Sequence, residues 1–231
     1  MAKKIKDTHN GVNLITLIDQ SSTITEQYRT IRTNIQFAMV DQKLKSIVIT
    51  SSGPSEGKST TSANLAVVFA TSGLKVLLVD ADLRKPTVHK TFGLTNGRGL
   101  SSLLSNRGLD INEVCQTTVT ENLKVLTSGP KPPNPAELLG SQRMTDLIAA
   151  VENQFDLVIF DMPPVVAVTD AQVMAVKTDG TILAVRQKVT NKSALANAKK
   201  LLDIVNANVL GVVFNGVERG TNGAYYEYEY K

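Results

Sequence analysis

The chain is poor in cysteine: Cys115 is the one thiol in 231 residues, so no internal disulfide can form. That scarcity suits a reducing cytoplasm, and it leaves Cys115 to act as a small apolar residue, buried or half-buried. Long hydrophobic runs are also lacking; none approaches the ~20 residues needed to span a bilayer. The start, Met1-Ala2-Lys3-Lys4-Ile5-Lys6, carries positive charge with no apolar stretch behind it, so it does not read as a signal peptide. Lys3, Lys4 and Lys6 read as a solvated end. Histidine is scarce too, and His9 and His89 stand in no metal-ligand spacing. The formal charge is only +4 and no dense Lys/Arg face is evident, so nucleic acid is not an expected partner.

What is present is apolar material, 42% of the residues, enough for a substantial core. The length fits one α/β domain. Residues 1–20 read as a loosely ordered segment, 21–218 as the domain, and 219–231 as a flexible tail. A capping box predicts a helix starting with Thr23 as N-cap and Glu26 three residues on. Ile24, Tyr28, Ile31, Ile35 and Met39 give it an apolar face. Strands are predicted over Ser46–Thr50, Lys75–Asp80, Asn122–Thr127, Asp156–Asp161, Gly180–Val185 and Val209–Phe214. Continuous runs such as Val76-Leu77-Leu78-Val79 suit strands buried on both faces of a parallel sheet. Helices are expected after Lys58, Pro135, Asp170 and Asn191, the second with Asn134 as cap and Glu137 completing the box. The segment Gly129–Pro135 reads as a rigid surface connection. The expected fold is a doubly wound, mostly parallel α/β sheet with an extra N-terminal helix. No internal repeat or interdomain linker is present.

Between the first strand and the helix after it lies Ser52-Gly53-Pro54-Ser55-Glu56-Gly57-Lys58-Ser59-Thr60, a phosphate-loop pattern. Backbone N–H groups and the helix N-terminus attract phosphate oxygens. Lys58 is expected at the β/γ-phosphates and the Ser59 hydroxyl on Mg²⁺. The strict pattern has glycine where this chain has Ser52. Two buried strands then end in acids, at Asp80-Ala81-Asp82-Leu83-Arg84 and at Asp161, where ligands bind in open α/β sheets. Mg²⁺ takes oxygen ligands, often one or two carboxylates plus phosphate and water. Together these residues predict a Mg·ATP site, with Gly53 through Thr60 lining it and Ser59, Asp80 and Asp161 as candidate metal ligands. Asn215 ends the last strand and has two readings of equal weight: an amide on an adenine edge, or a strand-terminating turn residue. Arg84 likewise orients the acids or phosphates, or simply makes an ion pair.

At the far end, four of the five tyrosines fall within the last eight residues: Tyr225, Tyr226, Tyr228 and Tyr230, interleaved with Glu227 and Glu229. A site for a nucleoside triphosphate and a run of hydroxyls able to receive its phosphate point to a kinase that modifies its own kind. Taken together, the motifs resemble those of the bacterial tyrosine kinases, in particular the cytoplasmic kinases of capsular and exopolysaccharide synthesis in Gram-positive bacteria. The resemblance runs from about Ile24 to the C-terminus. It rests on the Walker A loop ending Gly57-Lys58-Ser59-Thr60, the Walker A′ stretch Asp80-Ala81-Asp82-Leu83-Arg84 and the Walker B stretch Ile159-Phe160-Asp161. The stretch from Ser128 to Leu139 and the tail complete it.

The resemblance implies ATP and Mg²⁺ as cofactors and autophosphorylation between subunits of a ring-shaped homo-oligomer, at Tyr225, Tyr226, Tyr228 and Tyr230. It implies Lys58, Asp80 and Asp82 as catalytic residues, Asp80 leading as base with Asp82 beside it. A Glu-x-x-Arg-x-x-Arg oligomerisation motif matches Glu26, Arg29 and Arg32. Helical spacing puts these about 60° apart on one broad polar face, where an intrahelical ion pair is the other reading. A membrane adaptor of polysaccharide chain-length control and a cognate tyrosine phosphatase are the implied partners, placing the chain at the inner face of the membrane. The competing class is a partitioning-type ATPase switch without kinase activity. Its members carry a second lysine five residues before the catalytic one, where this chain has Gly53, and the membrane-bound ones end in a basic amphipathic helix.

Overall fold

A computed structural model describes residues 11–41 and 44–217. A short helix, α1 (Ile15–Ile18), precedes α2 (Thr23–Asp41). Then follow β1 (Ser46–Ser51), α3 (Lys58–Ala70), β2 (Val76–Asp80), α4 (Val88–Phe92), α5 (Leu100–Ser105), β3 (Cys115–Thr117) and β4 (Leu123–Leu126). The rest comprises α6 (Pro135–Gly140), α7 (Gln142–Glu152), β5 (Leu157–Asp161), α8 (Asp170–Ala175), β6 (Gly180–Arg186), α9 (Lys192–Ile204) and β7 (Val209–Asn215). The seven strands form one sheet in the order β3-β4-β2-β5-β1-β6-β7. All neighbours are parallel except β3 and β4.

The sheet is wound on both faces, and alternation along each strand shows it. Ile47, Ile49, Val76, Leu78, Leu157 and Ile159 enter one core with α3 and with Tyr28 and Ile35 of α2. Val48, Leu77, Val79, Val158 and Phe160 enter the other, with α5 to α9. The six strands expected from apolar runs are present, each within one residue of the expected limits. The seventh, β3, is a three-residue edge strand carrying Cys115. Cys115 is half-buried, and that burial pushes its thiol up to about 11.

Several local expectations are corrected. The segment expected to be loose over 1–20 is docked from residue 11 on. The Thr16 amide and hydroxyl donate to Asn64 Oδ1 at 3.1 and 2.9 Å, and the Asn64 amide returns a bond to the Asn13 carbonyl at 2.9 Å. Residues 1–10, and the tail from 218, lie outside the described residues. The cap of α2 is Ser22 rather than Thr23: its hydroxyl accepts from the Thr25 amide at 3.1 Å. On the apolar face of α2, Tyr28 and Ile35 are buried, Ile24 is exposed, and Met39 lies outside the described side chains. The helix after Pro135 is two helices, broken at Ser141, whose hydroxyl caps α7 through the Met144 amide. Asn134 does not cap; its amide donates to the Glu137 carboxylate at 3.0 Å. Gly129 is buried rather than on the surface, held at φ 75° with its amide on Asn96 Oδ1.

Candidate active site

The parallel register brings the acids together. Asp80 and Asp161 are direct partners on β2 and β5, and Asp161 pairs with Ile49 of β1, three residues before the phosphate loop begins. Three strand ends therefore meet at one point, which is where such sheets bind ligands.

The loop reaches α3 through two left-handed residues, Ser55 at φ 61° and Gly57 at φ 94°. Glycine is required at 57 on steric grounds as well, since a Cβ there would stand 2.6 Å from Asn215 Nδ2. Lys58 opens α3 and turns its ammonium into the acids: 2.9 Å from Asp82 Oδ2, 3.2 Å from Ser59 Oγ and 3.8 Å from Asp161 Oδ2. Burial alone would lower the Lys58 pKa, but Asp161 and Asp82 outweigh it and hold it above its ordinary value. Asp82 is anchored on its other side by the Lys85 amide at 3.0 Å.

Asp80 is fully buried. Its Oδ2 accepts from the Thr87 and Val88 amides at the start of α4, at 3.1 and 3.0 Å. Its Oδ1 has no partner. Burial, reinforced by the charge of Asp161, pushes the Asp80 carboxyl up to about 8. Asp161 is also fully buried. Ser62 Oγ donates to its Oδ1 at 3.1 Å, and its Oδ2 is without a hydrogen-bond partner. Burial raises its pKa as well, against the lowering pull of Lys58.

Two neighbouring carboxylates, Asp80 with a buried oxygen that has no partner and Asp161 with one met only by the Lys58 ammonium at 3.8 Å, fit a hard cation, because burying such an oxygen unpaired is costly. Among the described residues no three acidic, cysteine or histidine side chains form a ready-made metal cage. A cation here would draw its remaining ligands from phosphate and water, as Mg²⁺ does.

Thr190 and Asp170 escaped the sequence reading of the site, as did what Glu56 does within the loop. Glu56, inside the loop, is buried and accepts from Ser52 Oγ at 2.7 and 2.9 Å, from the Gly53 amide at 3.0 Å and from Thr190 Oγ1 at 2.7 Å. This accounts for Ser52 where the strict pattern has glycine: its hydroxyl holds Glu56. Thr190, after β6, ties the loop to the next strand of the sheet. Asp170, at the start of α8 and fully buried, takes a bidentate fork from Arg84 at 2.9 and 2.8 Å. The ion-pair reading of Arg84 is the one realised, with a partner no motif had pointed to.

Asn215 ends β7 beside the loop, and its amide nitrogen donates to the Glu56 carbonyl and to Thr61 Oγ1, both at 3.1 Å. The donor half of the adenine reading is therefore engaged by the loop itself. The shared polar face of Glu26, Arg29 and Arg32 is corrected. Glu26 and Arg29 pair with each other on the exposed surface, whereas Arg32 turns inward and donates to the Val68 carbonyl of α3 at 3.0 Å. Tyr28, the one tyrosine outside the tail, is buried, and burial pushes its phenol up to about 12. The candidate acceptors Tyr225, Tyr226, Tyr228 and Tyr230 lie outside the described residues.

This fold and site define a P-loop NTPase-like domain with a mostly parallel sheet. The AAA domain family matches residues 44–209. Tyrosine-protein kinase YwqD of Bacillus subtilis (strain 168) is 49% identical over 213 residues, covering 92% of this chain and 90% of its own. The kinase domain of Escherichia coli tyrosine kinase ETK superposes with a TM-score of 0.86 at 33% identity, over 95% of this chain and 86% of that one. The chimerical protein CapA2B2 superposes with a TM-score of 0.83 at 44% identity, over 87% of this chain and 88% of its own. The chain belongs to the bacterial tyrosine kinase family.

Proposed function

We propose that this kinase transfers the γ-phosphoryl group of Mg·ATP to tyrosines in the tail of a second copy, and thereby regulates capsular or exopolysaccharide synthesis. The observation that carries the reading is the convergence of Lys58 with Asp80, Asp82 and Asp161 at the ends of β1, β2 and β5.

In the transfer, the acceptor's phenolic oxygen bonds to the γ-phosphorus, and the bond from that phosphorus to the β,γ-bridging oxygen breaks. ADP leaves with that electron pair, and the phenolic proton passes to a carboxylate. Catalysis of this kind is mainly positioning and charge neutralisation. The amides of the loop from Gly53 to Thr60 cradle the phosphates, and Lys58 balances their charge. To do so Lys58 exchanges Asp82 for phosphate, which frees Asp82 beside the acceptor. Ser59, Asp161 and Asp80 would hold Mg²⁺, directly or through water, where it would supply positive charge against the phosphate oxygens. Asp80 is the leading proton acceptor. Glu26 and Arg29 offer an exposed charged surface for ring contacts, and Asn215 borders the nucleoside side.

Among the described residues no helix is long and apolar enough to cross a membrane. A membrane adaptor would hold the kinase at the inner face of the membrane and activate it, and a tyrosine phosphatase would reverse the modification. The test is incubation with Mg·ATP, with and without the adaptor's cytoplasmic segment, followed by mapping of phosphotyrosine by mass spectrometry. Phosphate on the tail that disappears in Lys58→Met is the expected result. An unmodified tail with ATP still hydrolysed would overturn the proposal in favour of an ATPase switch.

A further inference from the structure

We infer that Lys85, Arg98 and Lys131 form a cationic rim that selects tyrosines flanked by carboxylates, the Glu-interleaved tail of a second copy being its occupant. This rests on the phosphotransfer reading above.

Sheet order decides which side of the phosphate loop an acceptor can use. The loop leaves β1, between β5 on one side and β6 on the other. Toward β6 and β7 the loop is tethered by its own contacts. Thr190 holds Glu56, Arg186 donates to the Ser55 carbonyl at 3.4 Å, and Asn215 holds the Glu56 carbonyl. Toward β2 lie the acids Asp80 and Asp82. In-line transfer puts acceptor and leaving group on opposite sides of the γ-phosphate. With the proton acceptor on β2, the acceptor tyrosine enters over the ends of β2 and β4, and the nucleoside lies over β6 and β7.

Three cations stand on that entry side. Lys85 follows directly from Asp82, to which its amide is bonded. Val79 pairs with Leu126 on β4, so Thr127 comes level with Asp80 at one strand spacing, about 4.8 Å. Thr127 Oγ1 donates to the Arg98 carbonyl at 3.2 Å, and Ser101 Oγ donates to the Pro130 carbonyl at 2.6 Å. These bonds bind the segments carrying Arg98 and Lys131 to the same end of the sheet.

All three residues are exposed, and none takes part in an ion pair among the described residues. Asp170 is matched by Arg84 and, in the unliganded chain, Asp82 by Lys58, so neither acid pairs with the rim, which faces solvent as positive charge. The chain's own tail has the complementary pattern: Tyr226, Tyr228 and Tyr230 each adjoin Glu227 or Glu229.

The test is binding, which needs no turnover. A fluorescent peptide of residues 224–231, and its counterpart with Glu227→Gln and Glu229→Gln, are titrated with the full chain, Mg²⁺ and an unhydrolysable ATP analogue. The acidic peptide should bind about tenfold more tightly at low salt (about 1.4 kcal/mol). Added salt should shrink the gap, because surface charges are screened. In Lys85→Gln/Arg98→Gln/Lys131→Gln the gap should close, with melting temperature and analogue affinity unchanged. Equal binding of the two peptides, no binding of either, or a preference that survives the triple variant would overturn the rim. Tail phosphorylation without a charge preference would sink the rim and leave the kinase reading standing. A charge preference without phosphorylation would do the reverse.

Discussion

Glu56 is the residue on which the shape of the phosphate loop depends most, and its removal has a calculable effect. Glu56→Ala leaves three donors facing empty space: the Ser52 and Thr190 hydroxyls and the Gly53 amide. The hydroxyls can rotate toward other acceptors, but the amide is fixed. A buried donor left unsatisfied costs about 1–3 kcal/mol, and a hydrogen bond to a charged group contributes a similar amount. Allowing for partial recovery by the hydroxyls, the total loss is about 3 kcal/mol. For a domain of this size that lowers Tm by roughly 6–12 °C. Glu56→Gln keeps one accepting oxygen but turns an NH₂ toward a donor, so about half the effect should remain. Nucleotide affinity should fall too, since Ser55 and Glu56 would have to be ordered by the ligand. At ~1–2 kcal/mol of backbone entropy per residue, the fall is about tenfold or more. Thermal melting and titration with fluorescent ADP measure both quantities. A Glu56→Ala chain that melts within about a degree of the parent and binds ADP equally well would refute the account of Glu56 as the tie between loop and sheet.

Other perturbations separate the remaining groups. The Asp80 carboxyl sits near 8 in the folded chain and near 3.9 unfolded, so the folded state holds the extra proton between those values. Stability of the unliganded chain should therefore be greatest at low pH and fall as pH rises from about 4 to 8, by up to about 1.4 kcal/mol per unit. Asp161, also raised, contributes with the same sign, so Asp80→Asn should flatten part of the slope in denaturation experiments. Mg²⁺-dependent nucleotide binding should strengthen over the same range, because the cation competes with that proton, and Asp80→Asn should weaken the dependence. Arg84→Ala strands the buried Asp170 carboxylate and should cost about 1–3 kcal/mol in urea denaturation; Arg84→Lys, which loses the fork, should fall between. Arg29→Ala breaks an exposed pair and should leave stability within about 0.5 kcal/mol while lowering the oligomeric mass seen by light scattering. Arg32→Ala should alter both, because Arg32 also holds the Val68 carbonyl of α3.

The contrast between Arg29 and Arg32 shows what a sequence can and cannot carry. Helical spacing placed both on one face, and in the helix they do lie close together. Which of them meets solvent is decided by where α3 packs, and no periodicity within α2 contains that. The six long strands were legible because burial on both faces demands unbroken apolar runs, as in Leu157-Val158-Ile159-Phe160. The edge strand Cys115–Thr117 was not, since three residues paired on one side need no such run. At the start of α2, Ser22 and Thr23 are both hydroxyl residues able to cap, and sequence alone does not choose between neighbours. The same division runs through the site. Lys58, Ser59, Asp80, Asp82 and Asp161 announce themselves because each sits at a strand end or loop with its own local pattern. The bonding roles of Glu56 and Asp170 did not, because Thr190 and Arg84 reach them only after the chain has crossed the sheet, and sheet order is a property of the whole domain. Ser52 was the one local sign: a hydroxyl in a glycine position calls for an acceptor, and the nearest carboxylate in the loop is Glu56.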